Sequence, residues 1–346
     1  MKMTWLRRLI AFLQVGLTAA CAPVVKSPGP QMFQTRLETD AIFTSDGLTL
    51  PMRAWLPHDK DNPHLPRRPN AVILALHGMN DYSNAFDAPG KYWSERGIAV
   101  YAYDQRGFGR APDAGYWAGT DAMTDDVGVA ATLLKDRYPD IPLYLLGESM
   151  GGAVVINAMA RPNAPHVDGV ILSAPAVWGR ADMNFFQRGA LFLASYTLPW
   201  MTLTGHGLNI MPSDNLEMLQ ALSRDPLVLK ETRVDAVHGL CDLMDDAARN
   251  IGQLHGPVLM LYGKNDQVIP ADPTYRAMET LPQLGHPRPD APQVPALYAS
   301  GYHMLLRDLE ARLVWDDVLA WTAAPSSPLP SGADWAAREI LQQRHP

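Results

Sequence analysis

Along most of its length this chain alternates short apolar runs with longer segments of helical period. Residues 71–76 are continuously apolar, as a strand covered on both faces must be. Residues 83–96 then repeat with the period of a helix, and 98–103 read as a second buried strand. Next come a long helix over 120–137, with Thr120 or Asp121 as its N-cap, a strand over 143–146, a helix over 150–160 and a strand over 167–173. After a gap the rhythm resumes with strands over 257–262 and 293–299, a helix over 273–281 between them, and a closing helix over 305–322. Strands that alternate with helices predict an α/β fold, a mostly parallel central sheet with helices on both faces. Upstream, 37–43 and 48–56 alternate with period two around Ser45-Asp46-Gly47, which predicts two strands joined by a turn. A Pro- and charge-rich loop over 58–70 follows.

The gap, 176–254, is rich in large apolar residues and holds no good strand. It reads as a helical cap inserted over the strand ends. Its apolar side chains (among them Met183, Phe185, Phe186, Leu191 and Phe192) are expected mainly to pack on the core, with the remainder free to line an acyl channel. The core then comprises 35–175 and 255–323. Residues 324–346 form a Pro/Ser linker and a short amphipathic helix over 333–344, surface-docked or loose.

The N-terminus breaks the pattern differently. Lys2, Arg7 and Arg8 precede a 12-residue apolar run that ends at Ala20, which predicts a secretory signal peptide over 1–20. The run is too short to span a bilayer comfortably. Thr18-Ala19-Ala20-Cys21 resembles a bacterial lipobox, in which Cys21 is lipidated and becomes the first residue; threonine stands where leucine is commoner. Plain secretion and an uncleaved anchor are the alternatives. Residues 21–34, with three prolines, then tether the domain to a membrane on the periplasmic face of the cell envelope. Alanine after Cys21, in place of aspartate, disfavours retention at the inner membrane.

Charge and composition narrow the function classes. The formal net charge of −7 argues against nucleic acid as a partner. No Gly-rich dinucleotide loop, phosphate loop or Cys/His zinc spacing occurs, so no cofactor and no metal are expected. With two cysteines there is no disulfide scaffold, and Cys241 is read as a small packed residue.

One segment is chemically explicit. The apolar run 143–146 ends in Gly147-Glu148-Ser149-Met150-Gly151, and a helical segment follows at once. Strand, sharp turn and helix around Gly-x-Ser-x-Gly form a nucleophile elbow, which lifts the serine clear of the sheet. A serine hydroxyl needs a histidine to take its proton and an acid to orient that histidine. In this topology the order is serine, acid, histidine, each just past a strand end. Asp266 follows the strand 257–262 through a tight turn, and His303 follows the strand 293–299. Asp242, Asp245 and Asp246 read as a solvated face or as cap–core contacts, and Asp272 as a helix N-cap. His238, His255 and His286 have no strand end before them. His77-Gly78-Met79 follows the first buried strand, so the Met79 amide pairs with the Met150 amide as an oxyanion hole, with His77 propping the loop. Asp104 and Arg106 are read as fixing neighbouring loops.

Seven segments resemble the α/β-hydrolases of the monoacylglycerol lipase and lysophospholipase group, the serine aminopeptidase S33-type hydrolases. They are His77-Gly78-Met79, Tyr103-Asp104-Gln105-Arg106-Gly107-Phe108-Gly109, Gly147-Glu148-Ser149-Met150-Gly151-Gly152, Ser173-Ala174-Pro175, Ser223-Arg224-Asp225-Pro226, Gly263-Lys264-Asn265-Asp266 and Tyr302-His303. The resemblance covers about 45–322 and implies the α/β-hydrolase fold, a mobile apolar-lined cap and the triad Ser149, Asp266, His303. Two departures stand out: Glu148 where members often carry histidine, and Asn80-Asp81 where they often carry Glu-His. Both bear on the head group preferred. The expected activity is hydrolysis of monoacylglycerol- or lysophospholipid-type acyl esters. An amidase or aminopeptidase using the same triad, with the cap acids holding an amine, and a catalytically silent envelope binding protein are the alternatives.

Overall fold

A computed structural model describes residues 22–59, 65–205, 207, 209–281 and 291–344. The segment expected to be a signal peptide, Cys21 and His286 lie outside the described residues.

The apolar runs become one nine-stranded sheet. In chain order the strands are β1 (Arg36–Leu37), β2 (Ala41–Phe43), β3 (Thr49–Trp55), β4 (Ala71–Leu76), β5 (Ile98–Tyr103), β6 (Leu143–Glu148), β7 (Gly169–Ser173), β10 (Val258–Gly263) and β11 (Gln293–Tyr298), with β8 and β9 set apart in the cap. Their spatial order is β1-β2-β3-β5-β4-β6-β7-β10-β11. From β5 to β11 every pairing is parallel, whereas β1 to β3 are antiparallel.

Period-two geometry divides the apolar residues between two cores. Val72, Leu74 and Leu76 face one layer, with Leu145 and Met260. Ala71, Ile73 and Ala75 face the other, with Leu146 and Leu261. The first layer is covered by the helices Thr120–Arg137, Met150–Met159 and Val234–Asn250. The second is covered by Asp87–Ser94 and Ala311–Ala323, where Trp93 Nε1 donates to the Trp315 carbonyl at 3.0 Å. The helix Ala333–Arg344 packs against β11, and Arg344 pairs with Asp272 and Glu279, both at 2.9 Å. Of the two expectations for this helix, docking holds.

Several boundaries move for identifiable reasons. Neither Thr120 nor Asp121 caps its helix, because the chain turns in at Gly119, φ 92°, and both residues already lie in the first turn. Asp272 likewise sits inside the first turn of Ala271–Thr280, behind Pro270. The closing helix starts at Ala311, not at 305. The Asp308 carboxylate accepts the Tyr302 N–H at 2.7 Å, so 302–310 close into a hydrogen-bonded loop.

The insertion also departs from its expected form. Thr202–Thr204 (β8) and Glu231–Arg233 (β9) pair as a two-stranded antiparallel ribbon, each too short to register as a strand in the sequence. The helix Val234–Asn250 belongs to the layer covering the sheet. It buries Val234, Cys241, Leu243 and Met244, and its Leu243 carbonyl accepts Asn157 Nδ2 at 3.0 Å. The apolar residues of the outer cap mostly do not pack on the core. The helix Phe185–Thr197 buries only Ser195, and Phe185 and Phe186 are each 81% exposed. Met183 and Leu191 are the members of that set that do touch the core.

Candidate active site

Four of the loops that leave the C-terminal ends of the parallel strands carry the candidate residues. Ser149 follows β6, with φ 53° and ψ −115°. A non-glycine residue in that region stores about 1–3 kcal/mol of strain, held here by hydrogen bonds. Its N–H donates to the Ser173 carbonyl at 3.0 Å, and its carbonyl accepts the Ala176 N–H at 2.9 Å. The Ser173-Ala174-Pro175 segment therefore clamps the elbow from the neighbouring strand. The strand–helix crossing is tight enough that a Cβ on Gly147 would collide with the Gly151 backbone, and one on Gly151 with the Leu76 carbonyl. Met150 is the first helical residue, so its N–H has no acceptor four residues back and is free for an anion.

Asp266 lies beyond β10 with its side chain fully buried. One oxygen, Oδ1, accepts the Val268 and Ile269 N–H groups at 2.7 and 2.9 Å. The other, Oδ2, lies 2.8 Å from His303 Nδ1. A carboxylate facing Nδ1 selects the tautomer protonated there and leaves Nε2 as a base. His303 follows β11 and is 6% exposed. Because β6, β7, β10 and β11 are successive parallel neighbours, Ser149, Asp266 and His303 all emerge at the same sheet edge.

The fourth loop follows β4. A Cβ built on Gly78 would lie 3.3 Å from the Ser149 Cβ and 3.9 Å from its Oγ, so this backbone runs directly beside the serine. His77 is fully enclosed. Its Nδ1 donates to the Gly78 carbonyl at 2.8 Å, and its Nε2 accepts the Gln105 N–H at 3.0 Å. The Asp81 N–H donates to the same Gly78 carbonyl at 3.3 Å. A trans peptide sets its N–H opposite its carbonyl, so anchoring the Gly78 oxygen fixes where the Met79 N–H points. Burial holds the His77 pKa below its usual value, so the ring stays neutral and acts as a prop.

The remaining candidates are engaged elsewhere. Arg106 forks to Asp126 at 2.6 and 2.8 Å and to Asp46 at 2.6 and 3.1 Å, a buried cluster in which the guanidinium holds Asp46 down to about 2. Asp104 accepts the Ser83 and Arg110 N–H groups, both at 2.9 Å. Asp242 and Asp245 pair with Arg180 at 2.7 and 2.6 Å, and Asp246 pairs with Arg249. Burial pushes the Cys241 thiol up to about 11, which makes it inert at neutral pH. His238 packs beside Tyr196, and His255 is exposed.

Two sets of contacts are invisible in the sequence. The cap is fastened to the reacting loops on both sides. Tyr82 donates its hydroxyl to Asp225 at 2.7 Å and Asn80 Nδ2 donates to Thr232 Oγ1 at 2.6 Å, next to the Met79 loop. The Met304 N–H donates to the Pro212 carbonyl at 2.9 Å and Ser213 Oγ to Asp308 at 2.6 Å, on the His303 loop. The second set centres on Arg307, which pairs with Asp81 at 2.7 Å and Glu148 at 3.2 Å. Both acids depart from the family pattern, but their shared cation lies 159 residues beyond Glu148.

Comparison with known proteins agrees with this architecture. A family model described as serine aminopeptidase, S33 matches residues 67–310. The chain is 26% identical over 280 residues to the monoglyceride lipase of Rattus norvegicus, covering 78% of this chain and 84% of that one. It is 29% identical over 209 residues to a phospholipase of Bacillus subtilis, covering 58% and 78%. Among solved structures, a soluble variant of monoglyceride lipase from Saccharomyces cerevisiae in complex with a substrate analog superposes with a TM-score of 0.65 at 18% identity, over 87% of this chain and 97% of that one. With the elbow, the strand order and the loop after β4 all in place, the chain belongs to the serine aminopeptidase S33 family of α/β-hydrolases.

Proposed function

We propose that this protein is a serine hydrolase that cleaves carboxylic esters of monoacylated lipids, of the monoacylglycerol or lysophospholipid type. The observation that carries the reading is the Asp266–His303 contact at 2.8 Å, at the same sheet edge as a serine held at φ 53° on an elbow. In the proposed cycle Ser149 Oγ attacks the ester carbonyl while His303 Nε2 takes its proton. The Met79 and Met150 amides hold the oxyanion, and His303 then protonates the leaving alcohol. Water deprotonated by His303 releases the fatty acid and restores Ser149.

Relatives named as monoglyceride lipases and a phospholipase support a lipid ester as substrate. The exposed apolar cap points the same way, because such a surface suits an enzyme working beside acyl chains. The aminopeptidase alternative loses its support in the cap, where the three acids proposed to hold an amine are already paired with arginines. A fluorophosphonate probe is expected to label the wild-type chain and not Ser149→Ala. A catalytically silent binding protein would leave both unlabelled. In an ester panel, long monoacyl substrates are expected to exceed acetyl esters; the reverse order removes the lipid assignment.

The proposal includes an anchor at Cys21 that places the enzyme on the periplasmic face of a bacterial membrane. The lipobox-like Thr18-Ala19-Ala20-Cys21 supports it. Radiolabelled palmitate is expected in the wild type and absent from Cys21→Ser, and equal labelling of the two rejects the anchor.

A further inference from the structure

The loops that carry the proposed serine, base and oxyanion donor come from three distant parts of the chain, and one residue of the third reaches both of the others. Arg307 lies four residues beyond His303, in the same hydrogen-bonded loop, where its N–H donates to the Met304 carbonyl at 2.7 Å. Its Nη2 donates to Glu148 Oε1, the residue immediately before Ser149, at 3.2 Å. Its Nη1 pairs with Asp81 Oδ2 at 2.7 Å. Asp81 in turn donates its N–H to the Gly78 carbonyl, the oxygen whose placement aims the Met79 N–H. The three side chains are 9%, 2% and 8% exposed, so water does little to screen them.

We infer that Arg307, with Glu148 and Asp81, is a positioning clamp that sets the His303 loop, the elbow and the Met79 loop at one mutual distance. This rests on the reading of Ser149, His303 and Met79 given above. A planar guanidinium with two donor groups fixes direction as well as distance, which a lysine ammonium does not. A buried ion pair of this kind contributes little net stability over a well-packed apolar replacement, yet it can specify a single arrangement. The reaction is sensitive to that arrangement, since a misplacement of about 1 Å costs on the order of 10²-fold in rate. The two departures from the family pattern thus serve one purpose. Glu148, through Oε1, and Asp81, through Oδ2, are the acids that pair with the cation at 307.

Arg307→Met alone would strand two buried carboxylates, so the informative variant is the triple Arg307→Met, Glu148→Gln, Asp81→Asn, which removes the charges together. It is expected to keep the wild-type circular dichroism spectrum and to react with a fluorophosphonate about 10–100-fold more slowly, with KM for a short soluble ester little changed. Arg307→Lys, which keeps the charge and loses the fork, is expected to fold normally and react at an intermediate rate. A triple variant that labels as fast as the wild type, or Arg307→Lys that does so, overturns the clamp while leaving the hydrolase reading intact. A loss confined to KM also overturns it. A wild-type chain that does not label at all overturns the hydrolase reading, and the clamp with it.

Discussion

In the proposed mechanism the Asp266 carboxylate divides its work between structure and chemistry. Oδ1 closes the turn through two backbone N–H groups, and Oδ2 faces His303. Asp266→Asn keeps the turn acceptor but presents an amide to Nδ1, which favours the wrong imidazole tautomer. We expect kcat to fall by about 10³–10⁴-fold with the fold unchanged, as read by steady-state kinetics beside circular dichroism. His77 is the complementary case, a histidine held out of titration. Burial lowers its pKa, so the unfolded chain binds a proton near its ordinary 6.5 that the native chain refuses. The native state is therefore favoured above that pH and loses this contribution as pH falls below it. His77→Gln is expected to flatten the stability profile between about pH 6.5 and pH 5 in denaturant titrations, and an unchanged slope would contradict the assignment. It should also slow the reaction, because the Gly78 carbonyl loses the shorter of the two hydrogen bonds that fix the Met79 peptide.

At the scale of elements, the elbow depends on how closely a strand and a helix can cross. Gly151→Ala places a methyl group against the Leu76 and His77 carbonyls, which are backbone and cannot yield cheaply. The variant is expected to lose both activity and about 2 kcal/mol or more of stability, of the size of an overpacked core, checked by thermal melting and probe labelling. The cap is a second element with two attachments. Residues 80–82 hold it through Asp225 and Thr232, and 302–309 hold it through Pro212, Ser213 and Asp214. Its outer helix, by contrast, has almost no buried face. The cap is thereby fastened directly to the loops that hold Met79 and His303.

For the whole molecule, two features set the balance of order and exposure. Arg106, Asp46 and Asp126 tie the strand β5 loop to the β2–β3 turn and to the helix Thr120–Arg137, with little exposure of the three side chains. At the other extreme the cap exposes Phe185, Phe186, Phe192 and Trp200 to water. Such a patch is costly for an isolated soluble domain and useful against lipid. Replacing Phe185 and Phe186 with serine is expected to leave hydrolysis of a short soluble ester within about twofold while sharply lowering activity on vesicle-borne monoacylglycerol. Equal losses on both substrates would assign the pair to the fold.

The alternation of apolar runs and helical periods was enough to specify a parallel sheet with helices on both faces, because burial on two sides demands continuous apolar strands. Chain order and strand ends likewise singled out Ser149, Asp266 and His303 as candidates, since each local signal sits within a few residues of a strand. What escaped the sequence has a common physical origin. The ribbon of β8 and β9 gains its pairing from residues far apart, and neither segment is long enough to signal alone. The exposure of the outer cap depends on which surfaces remain after the helix Val234–Asn250 has packed against the sheet, not on hydrophobicity, which looks the same for a core and for a lipid-facing helix. The partners of Glu148 and Asp81 depend on folding, which brings Arg307 back across 159 residues to the elbow. Local sequence carries backbone preference and periodicity; only the tertiary structure decides which charges meet.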